Sequence, residues 1–211
     1  MANLITVARL PLLVLTVVLM NAPNVAARYA SAALALLLIL LDSIDGIVAR
    51  ARNETSLLGS VLDIMADRAV EQVMWISFAY LRLVPVAIPI IFVIRGTIVD
   101  SLRSLAVREG TSPFKATHSR AGAFIMGSPF MRSGYAIAKL VAFVGLAITN
   151  ALALQADVVA PQTVATCRLA FNVVSWIAVA YCLVRGAPVI IEAIPALLTS
   201  PPAASPDRSH E

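Results

Sequence analysis

The sequence predicts an all-α fold, a polytopic membrane bundle of six transmembrane helices, and three observations predict it. Of 211 residues, 60% are hydrophobic and 13% charged, whereas a soluble domain is apolar over about half its length and charged over about a quarter. The mean hydropathy is +0.88. The apolar residues also fall into six runs, each close to the roughly 20 residues that carry a helix across a bilayer. The polar joins between most of them are short, so residues 1–200 read as a single domain.

The first span covers residues 4–20, with Thr6 and Arg9 near its start, and the turn Asn21-Ala22-Pro23-Asn24 ends it. No basic segment precedes this run and no small-residue cleavage site follows it, so a retained span is expected rather than a signal peptide. The second span, residues 27–49, carries Asp42 and Asp45 in its last turns. The third, residues 57–81, carries Asp63 and Asp67 in its early turns. Antiparallel neighbours bring the late turns of one to the depth of the early turns of the next, so the four carboxylates are expected to meet.

The fourth span, residues 86–107, contains Arg95, Asp100 and Arg103, which are expected to face the bundle or a wet cavity rather than lipid. A polar segment follows with Lys115, His118 and Arg120. The fifth span, residues 135–154, is entered past Arg132 and carries Lys139, and the sixth covers residues 163–184. Residues 187–198 are apolar but interrupted by Pro188 and Pro195, too short to cross, and are expected on the membrane surface or against the bundle. Residues 201–211, rich in Pro, Ala and Ser, are expected to be a disordered tail.

The net charge of +4 comes from dispersed basic residues with no aromatic-interleaved run, which argues against nucleic acid. Acidic lipid surfaces or phosphorylated substrates fit better. Basic residues concentrate at Arg50, Arg52 and between Arg103 and Arg132, so that side is expected to be cytoplasmic, with both termini inside and the bacterial inner membrane as the location. Cys167 and Cys182 share one apolar run and read as small buried hydrophobes rather than a disulfide.

The chemistry concentrates between Leu41 and Arg68. Asp42 and Asp45 are three apart, Asp63 and Asp67 four apart, so each pair lies on one helix face. A solvated helix face is the usual home of such pairs, but it is not open to four acids in consecutive apolar spans, where ionisable residues are costly and functional. Glu71, four after Asp67, reads as an inter-helix polar partner and Arg68 as a helix-end charge. His118 and His210 lie alone in polar segments and receive no role.

The pattern Asp42-x-x-Asp45-Gly46-x-x-Ala49-Arg50, eight residues, then Gly59-x-x-x-Asp63-x-x-x-Asp67 resembles the signature of the CDP-alcohol phosphotransferase family, with every fixed position filled. Asn3-Leu4-Ile5-Thr6-x-x-Arg9 is similar to the family's N-terminal segment as well. The resemblance implies a transferase that moves a phosphatidyl group from CDP-diacylglycerol to a small polar alcohol and releases CMP, in phospholipid biosynthesis. It implies two divalent ions, Mg²⁺ or Mn²⁺, at the cytoplasmic end of the bundle, bound by Asp42, Asp45, Asp63 and Asp67, with Asp67 also the general base. It further implies a nucleotide site formed by Ile5, Thr6, Val7, Ala8, Gly46, Arg50 and Ser56, contact with membrane lipid, and a homodimer. The residue types suit that chemistry, because oxygen ligands hold hard divalent cations and paired cations neutralise a transferring phosphoryl group.

The acceptor is less constrained. A phosphorylated alcohol needs cations near the acids, and Arg95, Arg103, Arg120, Arg132 and Lys139 are the candidates. The segment Arg95–Arg103 is similar to the fourth span of phosphatidylglycerophosphate synthases, although Gly96 stands where those have Glu. Glycerol 3-phosphate is the leading expectation, with inositol phosphate and serine as alternatives. An ion-coupled transporter is the alternative of another class, but the acids gather at one membrane edge and the sequence holds no inverted repeat. Prenyl transfer would require D-D-x-x-D runs, which are absent.

Overall fold

The computed structural model describes residues 2–51, 57–108, 128–155 and 157–199. Among them six α-helices follow one another: α1 (Ala2–Met20), α2 (Val25–Ala51), α3 (Leu57–Tyr80), α4 (Ala87–Arg108), α5 (Pro129–Leu152) and α6 (Pro161–Thr199). The regular structure of the described residues is therefore all helical, as the apolar runs predict. Three of these helices, α2, α5 and α6, contain segments long and apolar enough to cross a membrane. In α1 the apolar helical segment runs only from Thr6 to Met20. In α3 and α4 the limit is charge, since Asp63, Asp67, Arg68 and Glu71 lie in one and Arg95, Asp100 and Arg103 in the other. The helices that carry site charges lose the hydropathy that marks a simple span.

The helices form a ring. α1 packs between α2 and α3, α2 meets α5, α5 meets α6, α6 meets α4, and α4 returns to α3. Inside the ring Trp75 of α3 stacks on Phe92 of α4, with centroids 5.0 Å apart, and meets Phe143 of α5 edge-on at 4.9 Å. Offset and edge-to-face contacts of this kind each add about 1 kcal/mol beyond area burial. Close approach of α5 to α6 depends on glycine: a Cβ on Gly145 would stand 2.2 Å from the Phe171 ring. Small residues at such crossings let backbones approach and gain dispersion contacts. Gly145→Val is therefore expected to lower stability by about 1–3 kcal/mol, read as a drop in the thermal midpoint of the detergent-purified protein.

The two ends of the ring are built differently. At one end Asn150 Nδ2 donates to Met20 O at 2.8 Å, and Arg28 Nη1 donates to Asn150 O and Oδ1 at 3.1 and 3.2 Å. This knot ties α5 to the α1–α2 turn, where Asn24 Oδ1 accepts from the Ala26 N–H and caps α2. α3 ends nearby in a Schellman turn, with Leu83 N–H bonded to Phe78 O and Arg82 N–H to Ala79 O. Arg82 holds the left-handed position, φ 57°, and its carbonyl accepts from the Arg168 guanidinium. The acids lie at the opposite end.

The sequence-based bounds shift in one place with consequence. Residues 187–198 are not a separate stretch after a break; they continue α6, which runs unbroken for 39 residues, about 58 Å. A proline removes one backbone donor, whereas leaving the helix in apolar surroundings would strand several. Continuation is the cheaper outcome. Cys167 and Cys182 both lie on this helix as free thiols, the second buried. The 201–211 tail lies outside the described residues.

Candidate active site

Three helices supply the acids and their counter-charge. Arg9, two turns into α1, is 1% exposed. Its Nη1 lies 2.8 Å from Asp42 Oδ1 of α2 and 3.9 Å from Asp63 Oδ1 of α3. Two carboxylates from different helices thus face one nitrogen, and Asp67, one turn after Asp63, is close enough that its charge acts on both. Arg9 thus brings Asp42 and Asp63 together, and Asp67 follows one turn along α3 from Asp63. Asp63 is 54% exposed at its side chain, so the cluster opens outward, while Arg9 forms its floor. Among the described residues neither Arg9 Nε nor Nη1 makes a hydrogen bond of good geometry, so the contact with Asp42 is an ion pair.

The opposite wall comes from α5. Lys139 Nζ donates to Asp67 Oδ1 at 3.2 Å and stands 3.5 Å from Glu71 Oε1. Glu71, 1% exposed, also accepts from the Tyr135 hydroxyl and, at 2.9 Å, from Arg68 Nη1. Arg68 is not a helix-end charge. It sits inside α3, and its planar fork makes two bonds to Asp100 of α4, at 2.7 and 3.2 Å. A bidentate pair of this geometry joins two neighbouring helices whose lone charges lipid would not tolerate. Glu71 is the inter-helix polar partner that its spacing suggests.

A second basic group stands above this network. Arg185 of α6 lies over the Tyr135 ring at 5.5 Å, within electrostatic reach of Arg95 and Arg132. Arg95 packs so tightly on α6 that a Cβ at Gly186 would come 2.6 Å from its Nε, and that nitrogen is buried without a partner. Among the described residues no carboxylate pairs with Arg95, Arg132 or Arg185. Like charges drawn together without counter-ions form a surface made for an anion.

Of the residues expected from sequence, Asp42 and Asp63 meet at Arg9 with Asp67 one turn from Asp63, and Arg95 and Arg132 each lie within electrostatic reach of Arg185. Thr6 is buried on the Arg9 side of α1, whereas Val7 and Ala8 are exposed. Ile5, Asp45, Gly46, Arg50 and Arg103 are placed by their helical backbone alone, and Ser56 and Arg120 lie outside the described residues. Sequence reasoning missed the contact of Arg9 with the acids, and missed Tyr135 and Arg185. Tyr135 had a signal, since it falls four residues before Lys139 and so on the same helix face.

Among the described residues no group of three His, Cys, Asp or Glu is arranged to hold a metal ion. The donor set nonetheless suits a hard divalent cation: carboxylate oxygens from two helices, with neither sulfur nor imidazole. A single guanidinium nitrogen already marks where positive charge is stabilised between Asp42 and Asp63.

No curated protein matches this chain. A family model does, that of CDP-alcohol phosphatidyltransferase, over residues 1–184. That match covers the acids, Arg9 and Lys139, and ends one residue before Arg185. Enzymes of this family are phosphotransferases of phospholipid synthesis, generally dependent on divalent metal, that act on a CDP-alcohol and an alcohol acceptor. The signature from Asp42 to Asp67 and the match over residues 1–184 agree, and this protein belongs to the CDP-alcohol phosphatidyltransferase family.

Proposed function

We propose that this enzyme transfers the phosphatidyl group of CDP-diacylglycerol to a small phosphorylated alcohol, glycerol 3-phosphate first and inositol phosphate second, and releases CMP. The observation that carries the acceptor class is the basic group of Arg95, Arg132 and Arg185, unpaired with carboxylate beside an acid cluster. Serine, whose single carboxylate is offset by its own ammonium, would balance less of that charge than a phosphate does.

Asp42, Asp45, Asp63 and Asp67 would hold two divalent cations, Mg²⁺ or Mn²⁺, which would supply positive charge against the diphosphate. The first turns of α1 (Ile5, Thr6, Val7, Ala8) with Gly46, Arg50 and Ser56 seat the nucleotide. Asp67 takes the proton of the acceptor hydroxyl, whose oxygen forms a bond to the lipid-side phosphorus. The bond from that phosphorus to the bridging oxygen breaks, and CMP departs with the electron pair. Arg95, Arg132 and Arg185 hold the acceptor's phosphate, and Arg103 and Arg120 stand on the same cytoplasmic side. The six helices cross the bacterial inner membrane as a single domain through residue 200, with both termini and the acids at the cytoplasmic face, and two copies form a homodimer.

Purified enzyme given CDP-diacylglycerol, Mg²⁺ and a panel of radiolabelled alcohols is expected to turn a phosphorylated one into lipid. EDTA should stop that turnover. Arg185→Met should raise the KM of the accepted alcohol by about 10- to 100-fold, as loss of a charge-assisted bond of about 1.5–3 kcal/mol implies. Incorporation of serine alone would remove the acceptor assignment, and turnover that survives exhaustive chelation would remove the metal.

A further inference from the structure

Lys139 is the one cation of α5 that faces the acids. α3 and α5 stand on opposite sides of the ring and each packs on other helices. Apart from the aromatic cluster, they are joined by two i, i+4 pairs that meet face to face: Asp67 and Glu71 on α3, Tyr135 and Lys139 on α5. Lys139 spans both carboxylates, 3.2 Å from Asp67 Oδ1 and 3.5 Å from Glu71 Oε1, with its side chain 11% exposed. Glu71 is in turn immobilised by Tyr135 and by Arg68, and Arg68 by Asp100.

Each link removes a freedom from the next. Asp100 fixes the plane of Arg68, Arg68 and Tyr135 fix Glu71, and Glu71 holds the ammonium at the height of Asp67. An ammonium has three donors in a compact head, and Asp67 receives one of them on Oδ1 only. Among the described residues Oδ2 receives no donor, which leaves it for the hydroxyl and for the cation that Asp67 is proposed to share. Lys139 is also a poor contact for an anionic acceptor, because the buried Glu71 charge beside it would repel the same phosphate. The unpaired arginines serve that purpose without such a neighbour.

We propose that Lys139 is a positioning residue for the general base: it pins Asp67 through Oδ1 so that Oδ2 points at the acceptor hydroxyl, and Glu71, locked by Tyr135 and Arg68, sets where Lys139 stands. This rests on the reading of Asp67 as the base. A displacement of about 1 Å in a reacting group can cost about 100-fold in rate, so the network acts on kcat rather than on acceptor binding.

The test compares full-length variants with the alcohol that the radiolabelled panel shows to be accepted. Lys139→Met is expected to lower kcat by about 100-fold with the acceptor KM within about threefold, and Lys139→Arg to recover at least about tenfold of the loss. Lys139→Met alone leaves Glu71 buried without its ammonium, so the double variant Lys139→Met/Glu71→Gln, which removes both charges, is measured beside it with its thermal midpoint. A folded double variant with kcat still low and KM unchanged supports positioning. A raised acceptor KM with parental kcat makes Lys139 an acceptor contact and overturns the proposal. Asp67→Asn separates the two layers: if it turns over normally the base reading falls. If it is inactive while the folded double variant keeps parental kcat, the positioning of Asp67 falls alone.

Discussion

Asp67→Asn is expected to reduce transfer from CDP-diacylglycerol by about 1,000-fold or more while the helix ring stays folded. The change keeps the side chain's volume and leaves an amide oxygen to accept from Lys139, which now lies 3.2 Å from Oδ1. Glu71, 3.5 Å away, continues to compensate that ammonium. What disappears is the ability to take a proton, and general base catalysis alone contributes about 10²–10⁴ in rate. The measurement is incorporation of labelled acceptor into lipid, alongside a thermal melt. An intact melt with parental incorporation removes the base assignment.

Asp42→Ala should show two losses that a second substitution separates. Arg9 is 1% exposed and its strongest partner is Asp42, at 2.8 Å, with Asp63 beyond hydrogen-bond distance at 3.9 Å. Removing Asp42 strands a buried guanidinium, a change that costs about 3–5 kcal/mol where the remaining charge has no other partner. Thermal stability should fall accordingly. Asp42→Ala/Arg9→Met removes both charges and should regain most of that stability, since an apolar pair of similar volume is often as good as the ion pair it replaces. Turnover should not return with it, because the carboxylate is gone from the acid cluster. Recovery of both together would mean that Asp42 has only a structural part.

Helix type and order were legible because the apolar runs are long, and the approach of Asp42 to Asp63 was legible because their spacing is fixed on two consecutive helices. Asp42, Asp63 and Asp67 need only antiparallel packing of α2 on the next helix to converge, and even that detail differs: α1 lies between them, contacting both α2 and α3. Arg9 closes the cluster from that position, a role that no local pattern around Leu4–Met20 contains. Partners distant in sequence were the least legible. Arg68 and Asp100 are 32 residues apart, and Glu71 and Tyr135 are 64 apart. Their pairing is set by the closure of the ring, not by periodicity. The continuation of α6 past Pro188 was hidden for a different reason, since proline is read as a breaker on scales that assume water is at hand for the freed carbonyl.

The place of Arg9 in the chain has a bearing on how the protein is made. The guanidinium that faces the acids is synthesised ahead of them, since Asp42 and Asp63 follow it by 33 and 54 positions. Each aspartate thus finds its counter-ion already synthesised, which lowers the electrostatic cost of packing the charged helices into the ring.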